Sequence, residues 1–422
     1  MRPRVLVYSY ERIGRAMAGP AIRTVAIARA LAADGLEVTL GLRFPADEVP
    51  DGLEAIYPVR VHDLVAADLV VAATIPTALL APAIARGARL VFDCNAAELF
   101  ERLEIYRDAP PRARRLAYAR SRASLRARLL AGHHVVASND RLRDLYLGEL
   151  ALLGRLAARH GDATTPEPAD ALVSVAPFGF DDPPPRPGAL KGKLPGIAPA
   201  DRVLLWGGGV WNWFDPLTAI RATASIARAR PDVKLVFMGT RSPQPDVPEM
   251  RVLGLARAEA RALDADGKSI FFLEGWVPYD DRAAYYGDAD LGVSLHLPTL
   301  EARYATRTRL MEYFAAALPM VVSRGDPLAL EVESAGLGAT VPCLDVGAFE
   351  RAVLSLLDDP ARLAATRARI AAHRDRYRWP AALAPLVRGC RLALEGRAMP
   401  PSRWDRARAL TALARGVMAR FF

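Results

Sequence analysis

Along the chain, short runs of apolar residues alternate with longer stretches in which apolar positions recur every three or four residues. Runs of the first kind read as strands buried on both faces, and stretches of the second as helices with one covered stripe. Their alternation is the pattern of parallel sheets layered between helices. In the first half the pattern predicts strands at Arg4–Tyr10, Glu37–Leu42, Leu69–Ala73, Arg89–Asp93 and His134–Ser138. A helix between the first two opens near Pro20, a favoured first-turn residue, and closes before Gly35, a favoured terminator. The second half repeats the scheme, with strands at Val203–Trp206, Val233–Met238, Ile270–Leu273, Leu291–Leu295 and Met320–Ser323.

Between the halves the composition shifts. Residues 177–202 hold seven prolines, at 177, 183, 184, 185, 187, 195 and 199, and such a segment resists both helix and sheet. The expected division is residues 1–185, residues 186–390 and a basic amphipathic helix over 391–422. Two similar α/β halves joined by a hinge imply a ligand cleft at the carboxyl ends of their strands.

Composition narrows the class. With 52% hydrophobic and 24% charged residues among 422, the chain is an ordinary globular protein, not a disordered or fibrous one. Its three cysteines, Cys94, Cys343 and Cys390, lie far apart and form no C-x-x-C pair, which disfavours a zinc site or a disulfide framework. The apolar stretch Leu69–Ala85 contains Pro76 and Pro82 and falls short of the ~20 residues of a membrane span. A cytoplasmic protein, at most peripheral on the inner face of the membrane, is expected. The net charge of +9 is local. Residues 111–130 carry seven arginines and no acid, and residues 391–422 carry seven arginines against Glu395 and Asp405. As a helix, the first segment gathers Arg112, Arg115, Arg122 and Arg126 within an arc of ~80°. In the second, Leu410, Leu413, Val417 and Phe421 form a stripe that either packs back on the first half or dips into an anionic membrane surface. Neither segment interleaves aromatics with its arginines, so nucleic acid is disfavoured as a partner.

Three constellations could carry chemistry. The loop Gly14–Arg23 runs from a strand into a helix, where free amides, with Gly19 and Arg23 beside them, could hold an anion. It also reads as an ordinary turn. Trp206–Trp213, W-G-G-G-V-W-N-W, follows the first strand of the second half, and Gly208 and Gly209 permit close backbone approach to a ligand. Its tryptophans could equally be packing. A dinucleotide fingerprint would need a third glycine where Asn212 stands, so a nicotinamide enzyme is disfavoured. The third is F-F-L-E-G-W-V-P-Y at 271–279 with H-L-P-T-L-E-A-R-Y-A-T-R-T-R-L-M-E-Y-F-A-A-A-L-P at 296–319.

With these motifs, and with A-S-N-D-R-L-R-D-L-Y-L-G at 137–148, the chain resembles glycosyltransferase family 4 over nearly its whole length, most of all a bacterial branch like the lipopolysaccharide-type enzymes. The resemblance implies the GT-B fold: an α/β chain of two Rossmann-like parallel-sheet domains, with a last helix returning to the first. It implies a retaining glycosyltransferase that needs no metal or other cofactor and takes its sugar from a UDP, GDP or dTDP donor. The acceptor would be a glycan, a lipid-linked intermediate of the cell envelope or a small molecule. By the same resemblance Gly275, Trp276 and Val277 meet the base, Glu312 the ribose hydroxyls, and the turn at Arg307 and Thr308 the diphosphate, with Ala317 where a glycine usually stands. The family's sugar-binding Glu is replaced by Tyr304, with Glu301 the nearest acid. Its Arg and Lys pair after the first strand of the second domain is missing, which leaves Arg307, Arg309 or Arg241 to stabilise the leaving diphosphate. In the first half Asp93, Asn95 and Glu98 are polar candidates near the sugar, and His296 ends a strand just before the donor loop. The missing pair also motivates the alternative of a catalytically silent nucleotide-binding scaffold within an envelope-assembly complex.

Overall fold

In the computed structural model the residues described are 2–156, 167–182, 186, 188–244, 247 and 250–419. Pro183, Pro184, Pro185 and Pro187 of the expected connector and Phe421 of the expected tail stripe lie outside them. The chain divides into two units, residues 1–178 with 379–422, and residues 179–378. The first unit thus ends at Phe178 and takes back the chain from Trp379 onward, where boundaries after 185 and 390 were expected.

The first unit holds a seven-stranded sheet: β1 (Arg4–Ser9), β2 (Glu37–Leu42), β3 (Glu54–Ile56), β4 (Leu69–Ala72), β5 (Leu90–Asp93), β6 (His134–Ala137) and β7 (Val173–Val175). Its order is β3-β2-β1-β4-β5-β6-β7, every pairing parallel. The second unit holds six: β8 (Arg202–Trp206), β9 (Val233–Phe237), β10 (Ile270–Phe272), β11 (Leu291–Ser294), β12 (Met320–Ser323) and β13 (Gly338–Val341), in the order β10-β9-β8-β11-β12-β13, again all parallel. Both orders switch direction beside the first strand, the arrangement of a Rossmann sheet. The central strands are buried along their length, as their apolar runs require. Three strands were not legible as runs: β3, β7 and β13 lie at sheet edges and are short and partly exposed. No helix among the described residues is long and apolar enough to cross a membrane.

The opening helix spans Gly19–Ala33, with Pro20 in its first turn and Gly35 beyond its end at φ +85°. Ala317 sits at φ +49°, left-handed backbone where the resemblance expects glycine. The helix Trp379–Leu394 lies against β4, β5 and β6 of the first unit, and this contact decides its membership. It comes close because residue 389 is glycine: a Cβ there would stand 2.4 Å from the His134 ring. Buried Cys390 follows it.

The last helix, Arg403–Met418, begins with a capping box of Ser402 and Asp405 and packs along the helix Pro111–Ala131. The tail therefore packs, but through a different stripe from the one read in the sequence. Ala409, Ala412, Leu413 and Gly416 are buried, whereas Val417 is 41% exposed. The two helices run antiparallel. Arg155 donates to the carbonyls of Gly132 and Met399, tying the end of one to the approach of the other, and Gly416 lies against Ala123. A Cβ at 416 would stand 2.7 Å from that of Ala123, which has no room to give. Gly416→Leu is expected to lower stability by about 1–3 kcal/mol through overpacking. Urea unfolding checks this, and an unchanged midpoint would show that the helices do not meet there.

Candidate functional site

Six arginines are buried among the described residues: Arg23, Arg128, Arg155, Arg282, Arg307 and Arg309. A guanidinium cannot shed its proton on burial, so each demands a counter-charge or costs several kcal/mol. Their pairing sorts the candidates.

In the first unit, Arg23 leaves the first turn of its helix and clamps Asp93 at the end of β5 with bonds of 2.7 and 2.8 Å. Its other donors reach the carbonyls of Pro177 and Ala176, and Phe178 covers it at 4.8 Å. That is a satisfied structural ion pair, not a free cation for a ligand. Gly19 opens the same helix half-buried, and Asn95 bonds Asp93 at 2.8 Å. Glu98 pairs with Arg128; burial pulls the guanidinium's pKa down, but Glu98 together with Cys94 and Tyr146 outweighs it and holds the pKa above its ordinary value. Arg155 is paired with Asp405.

In the second unit, Arg307 grips Glu301 with two bonds of 2.8 Å, and Glu301 is 1% exposed. Asp326 stands 3.9 Å from the same guanidinium and 3.4 Å from His296 Nε2. Glu301, Arg307, Asp326 and His296 thus form a charge-balanced buried group beyond the carboxyl ends of β11 and β12. Each carboxylate oxygen of Glu301, the residue expected near the sugar, accepts from Arg307, and the Arg307 charge is likewise committed within the protein. Burial opposes charge on His296, but the Asp326 carboxylate 3.4 Å from Nε2 and the Cys343 contact outweigh it and bring its pKa up to about 9.

Arg309 differs. It is 8% exposed, and no carboxylate among the described residues pairs with it. One Nη donates to the Gly209 carbonyl at 2.7 Å, while the other, fully buried, meets no acceptor. Aromatic faces compensate in part, with Phe214 at 4.1 Å and Trp206 at 4.8 Å. Burial pushes its pKa down to about 10, the opposite direction from Arg128. Beside it Gly208, at φ +76°, has open space where a Cβ would stand. Thr308 precedes the short helix Arg309–Ala315 without capping it.

A cavity of about 800 Å³ adjoins this point, lined among others by Gly209, Trp211, Gly239, Arg241, Gln244 and Trp276. Arg241 is exposed at its rim. The Gly275 carbonyl, at a residue with φ +82°, accepts from the amides of Thr240 and Arg241, which fastens the loop after β10 to that after β9. Trp276 packs its ring edge near Gly209 and Gly239. Val277, Glu312 and Arg309 itself are outside the cavity lining, which Arg309 reaches through its bond to the Gly209 carbonyl. Glu312 faces Arg282 at 3.8 Å, and burial raises its carboxyl pKa against that pull. Arg282 in turn lies 5.6 Å from the Trp276 ring and accompanies Tyr279. Arg282 and Gln244 were not singled out from the sequence, and Trp211 only within the Trp206–Trp213 run, since only the fold brings them beside the glycine loops.

Two outcomes are expected of the buried group. Arg307→Ala leaves Glu301 buried without its partner and should cost about 3–5 kcal/mol of stability in denaturant unfolding; a loss under 1 kcal/mol would mean that the pair is solvated. His296 has a folded pKa above the unfolded ~6.5, so its stabilisation is complete below that pH and is lost as pH rises through 9. Stability of the wild type should therefore fall over this window, and His296→Phe should flatten that fall. Parallel profiles would remove His296 from the balance.

Residues 201–359 match the family model described as Glycosyl transferases group 1. A D-inositol 3-phosphate glycosyltransferase of Segniliparus rotundus is 27% identical over 234 residues, which is 55% of this chain and 49% of that protein. The match thus spans about half the length of that curated relative. Among solved structures, sucrose-phosphate synthase from Thermosynechococcus elongatus superposes with a TM-score of 0.62 at 17% identity, covering 94% of this chain and all of that one. WaaG, a glycosyltransferase involved in lipopolysaccharide biosynthesis, gives 0.60 at 18%, covering 92% and 98%. Anabaena Alr3699/HepE, solved with UDP and glucose, gives 0.60 at 14%, covering 92% and 100%. At these identities the structures show the fold, which is GT-B, and the match to the group 1 glycosyl transferase model covers residues 201–359, under half of the chain.

Proposed function

We propose that this chain, a group 1 glycosyl transferase by its residues 201–359, moves a sugar with retention from a nucleoside-diphosphate donor to an acceptor taken by the first unit. One observation carries the reading: Arg309 is a buried guanidinium with no acid partner, beside a glycine loop and a cavity of nucleoside size. A phosphate oxygen there supplies the missing counter-charge. When the glycosyl bond breaks, the negative charge grows on the departing diphosphate, and a preorganised cation stabilises that state more than the bound donor. The aromatic faces of Phe214 and Trp206 hold the guanidinium in place beforehand. Arg309 thereby takes the part of the absent Arg and Lys pair, and Arg307 serves to fix the turn before it. The departing diphosphate accepts the acceptor's proton, so no protein base and no metal is called for. UDP, GDP and dTDP remain the candidate donors. A glycan or lipid-linked acceptor of the cell envelope suits the lipopolysaccharide-type motifs and the likeness to WaaG, and the likeness to a structure solved with UDP and glucose favours UDP. A silent nucleotide-binding scaffold would hold the same diphosphate, and slow acceptor-free hydrolysis of a donor nucleotide sugar separates the two, since the scaffold shows none.

Arg309→Met keeps the aliphatic stem and removes the charge. Because the charge is unpaired, thermal stability should hold or rise, while nucleoside diphosphate binding in calorimetry weakens about ten- to a hundred-fold, the value of one or two charge-assisted bonds. Nucleoside alone should bind the variant as it binds wild type. Unaltered diphosphate affinity in a folded variant would overturn the assignment. For Glu312, proposed to accept from the ribose hydroxyls, Glu312→Ala should erase the preference for ribose over 2′-deoxyribose nucleotides. A preference that survives would place the ribose elsewhere.

A further inference from the structure

Among the buried arginines, Arg282 is neither clamped by an acid nor left without one. It opens the helix Arg282–Asp288, shortly after the loop that carries Gly275, Trp276 and Val277, and is 7% exposed. Its Nε donates to the Val277 carbonyl at 3.4 Å, and its guanidinium lies 5.6 Å from the Trp276 ring and 5.4 Å from that of Tyr279. One Nη stands 3.8 Å from a Glu312 carboxylate oxygen. A single side chain thus reaches both the loop expected to meet the base and the acid expected to meet the ribose.

The distance to Glu312 sets this pair apart. Arg23 on Asp93 and Arg307 on Glu301 are bonded at 2.7 to 2.8 Å, which fills their carboxylates. At 3.8 Å the charges attract without a hydrogen bond, and no described residue donates to the Glu312 carboxylate. The other groups around it do not favour its charge. Burial and Asp181 both raise its pKa, and Arg282 is the cation that opposes them. Tyr279 and Tyr286 also face it, and burial keeps both phenols neutral; the Tyr279 hydroxyl donates to Asp181 at 3.2 Å. Arg309, one turn earlier on the same helix, is turned to the Gly209 carbonyl. A carboxylate that is charged yet has both oxygens unoccupied can accept from two vicinal hydroxyls at once.

We infer that Arg282 is a positioning residue of the donor site, which keeps Glu312 ionised while leaving its oxygens to the substrate, and thereby selects ribonucleotide over 2′-deoxyribonucleotide donors. The inference rests on Glu312 as the ribose acceptor and adds the residue that makes this acid competent. UDP and GDP fit such a site better than dTDP. The selection carries a pH dependence. A carboxyl with a raised pKa gives its charge above that pKa and loses it as pH falls through it, so without Arg282 the loss begins at a higher pH.

The test is calorimetry of UDP and GDP against their 2′-deoxy counterparts, from mildly acid to mildly alkaline pH. The ratio of the two affinities cancels the titration of the diphosphate, which both ligands share. Wild type should prefer the ribonucleotide and lose the preference only toward acid pH. Arg282→Met should lower the preference about ten-fold near neutrality, the difference between a charged and a neutral acceptor, and recover it as pH rises. Arg282→Gln, which keeps a donor for the Val277 carbonyl, should behave in the same way, whereas Arg282→Lys keeps the cation and should restore the wild-type profile. Arg282→Met and Arg282→Gln profiles that match wild type, with the preference lost in Glu312→Gln, would overturn the role of Arg282 and leave the ribose assignment standing. A loss that no rise in pH restores would mark a packing role and overturn it equally. A full preference in Glu312→Gln would overturn the ribose assignment, and this inference with it.

Discussion

The fold is organised by the need to neutralise arginine. Fifty-two of the 56 basic residues are arginines, and their guanidinium stays charged at any depth. Where one enters the core, an acid has to enter with it. Arg23 with Asp93 ties the first helix to the end of β5 and to the chain leaving β7; Arg155 with Asp405 ties the last helix to the body of its unit. Arg307 with Glu301 closes the loop after β11. Such pairs add little net stability compared with apolar packing, but they penalise any arrangement that separates the partners. They therefore act on register and on which segment docks where.

Against that background a buried arginine without an acid is informative. Arg309 shares the burial, the aromatic cover and a backbone carbonyl with its neighbours, and differs only in the missing carboxylate. The pKa directions express the difference: burial lowers both, but Arg128 is held up chiefly by Glu98, whereas Arg309 stays low with only Tyr313 and Tyr286 to oppose burial and Arg307. A charge kept in this way is costly to the apo protein and already oriented for an anion. That combination is expected at an anion-binding site.

The alternation of apolar runs and helical stretches made ten of the thirteen strands legible to within about a residue or two at each end, because those strands are buried on both faces and written as unbroken runs. β3, β7 and β13 escaped, since an edge strand such as Glu54–Ile56 or Gly338–Val341 needs no such run. Proline content marked a junction but not its outcome: helix Trp379–Leu394 joins the first unit because Gly389 admits the His134 ring, a pairing of residues distant in sequence. At the site, the family resemblance singled out Glu301, Arg307, Arg309 and Glu312. It could not say which arginine is spent, because Arg307 and Arg309 sit two positions apart in the same motif. Their difference lies in which way each faces, toward Glu301 or toward Gly209.

The tail shows the same limit from the other side. Leu410, Leu413 and Val417 recur at helical spacing, and periodicity alone assigns them a common face. The helix instead buries Ala409, Ala412, Leu413 and Gly416, because small residues let its backbone approach Ala123 closely, and close approach recovers more dispersion contact than larger side chains held at a distance. Size at the contact overrode hydrophobicity of the stripe. The rotation that follows turns Val417, Met418 and Trp404 outward, onto a unit whose long basic helix already faces solvent. The apolar stripe that the sequence offered for packing and the apolar groups that the fold leaves exposed are therefore largely different residues, and only the second set is available to anything outside the protein.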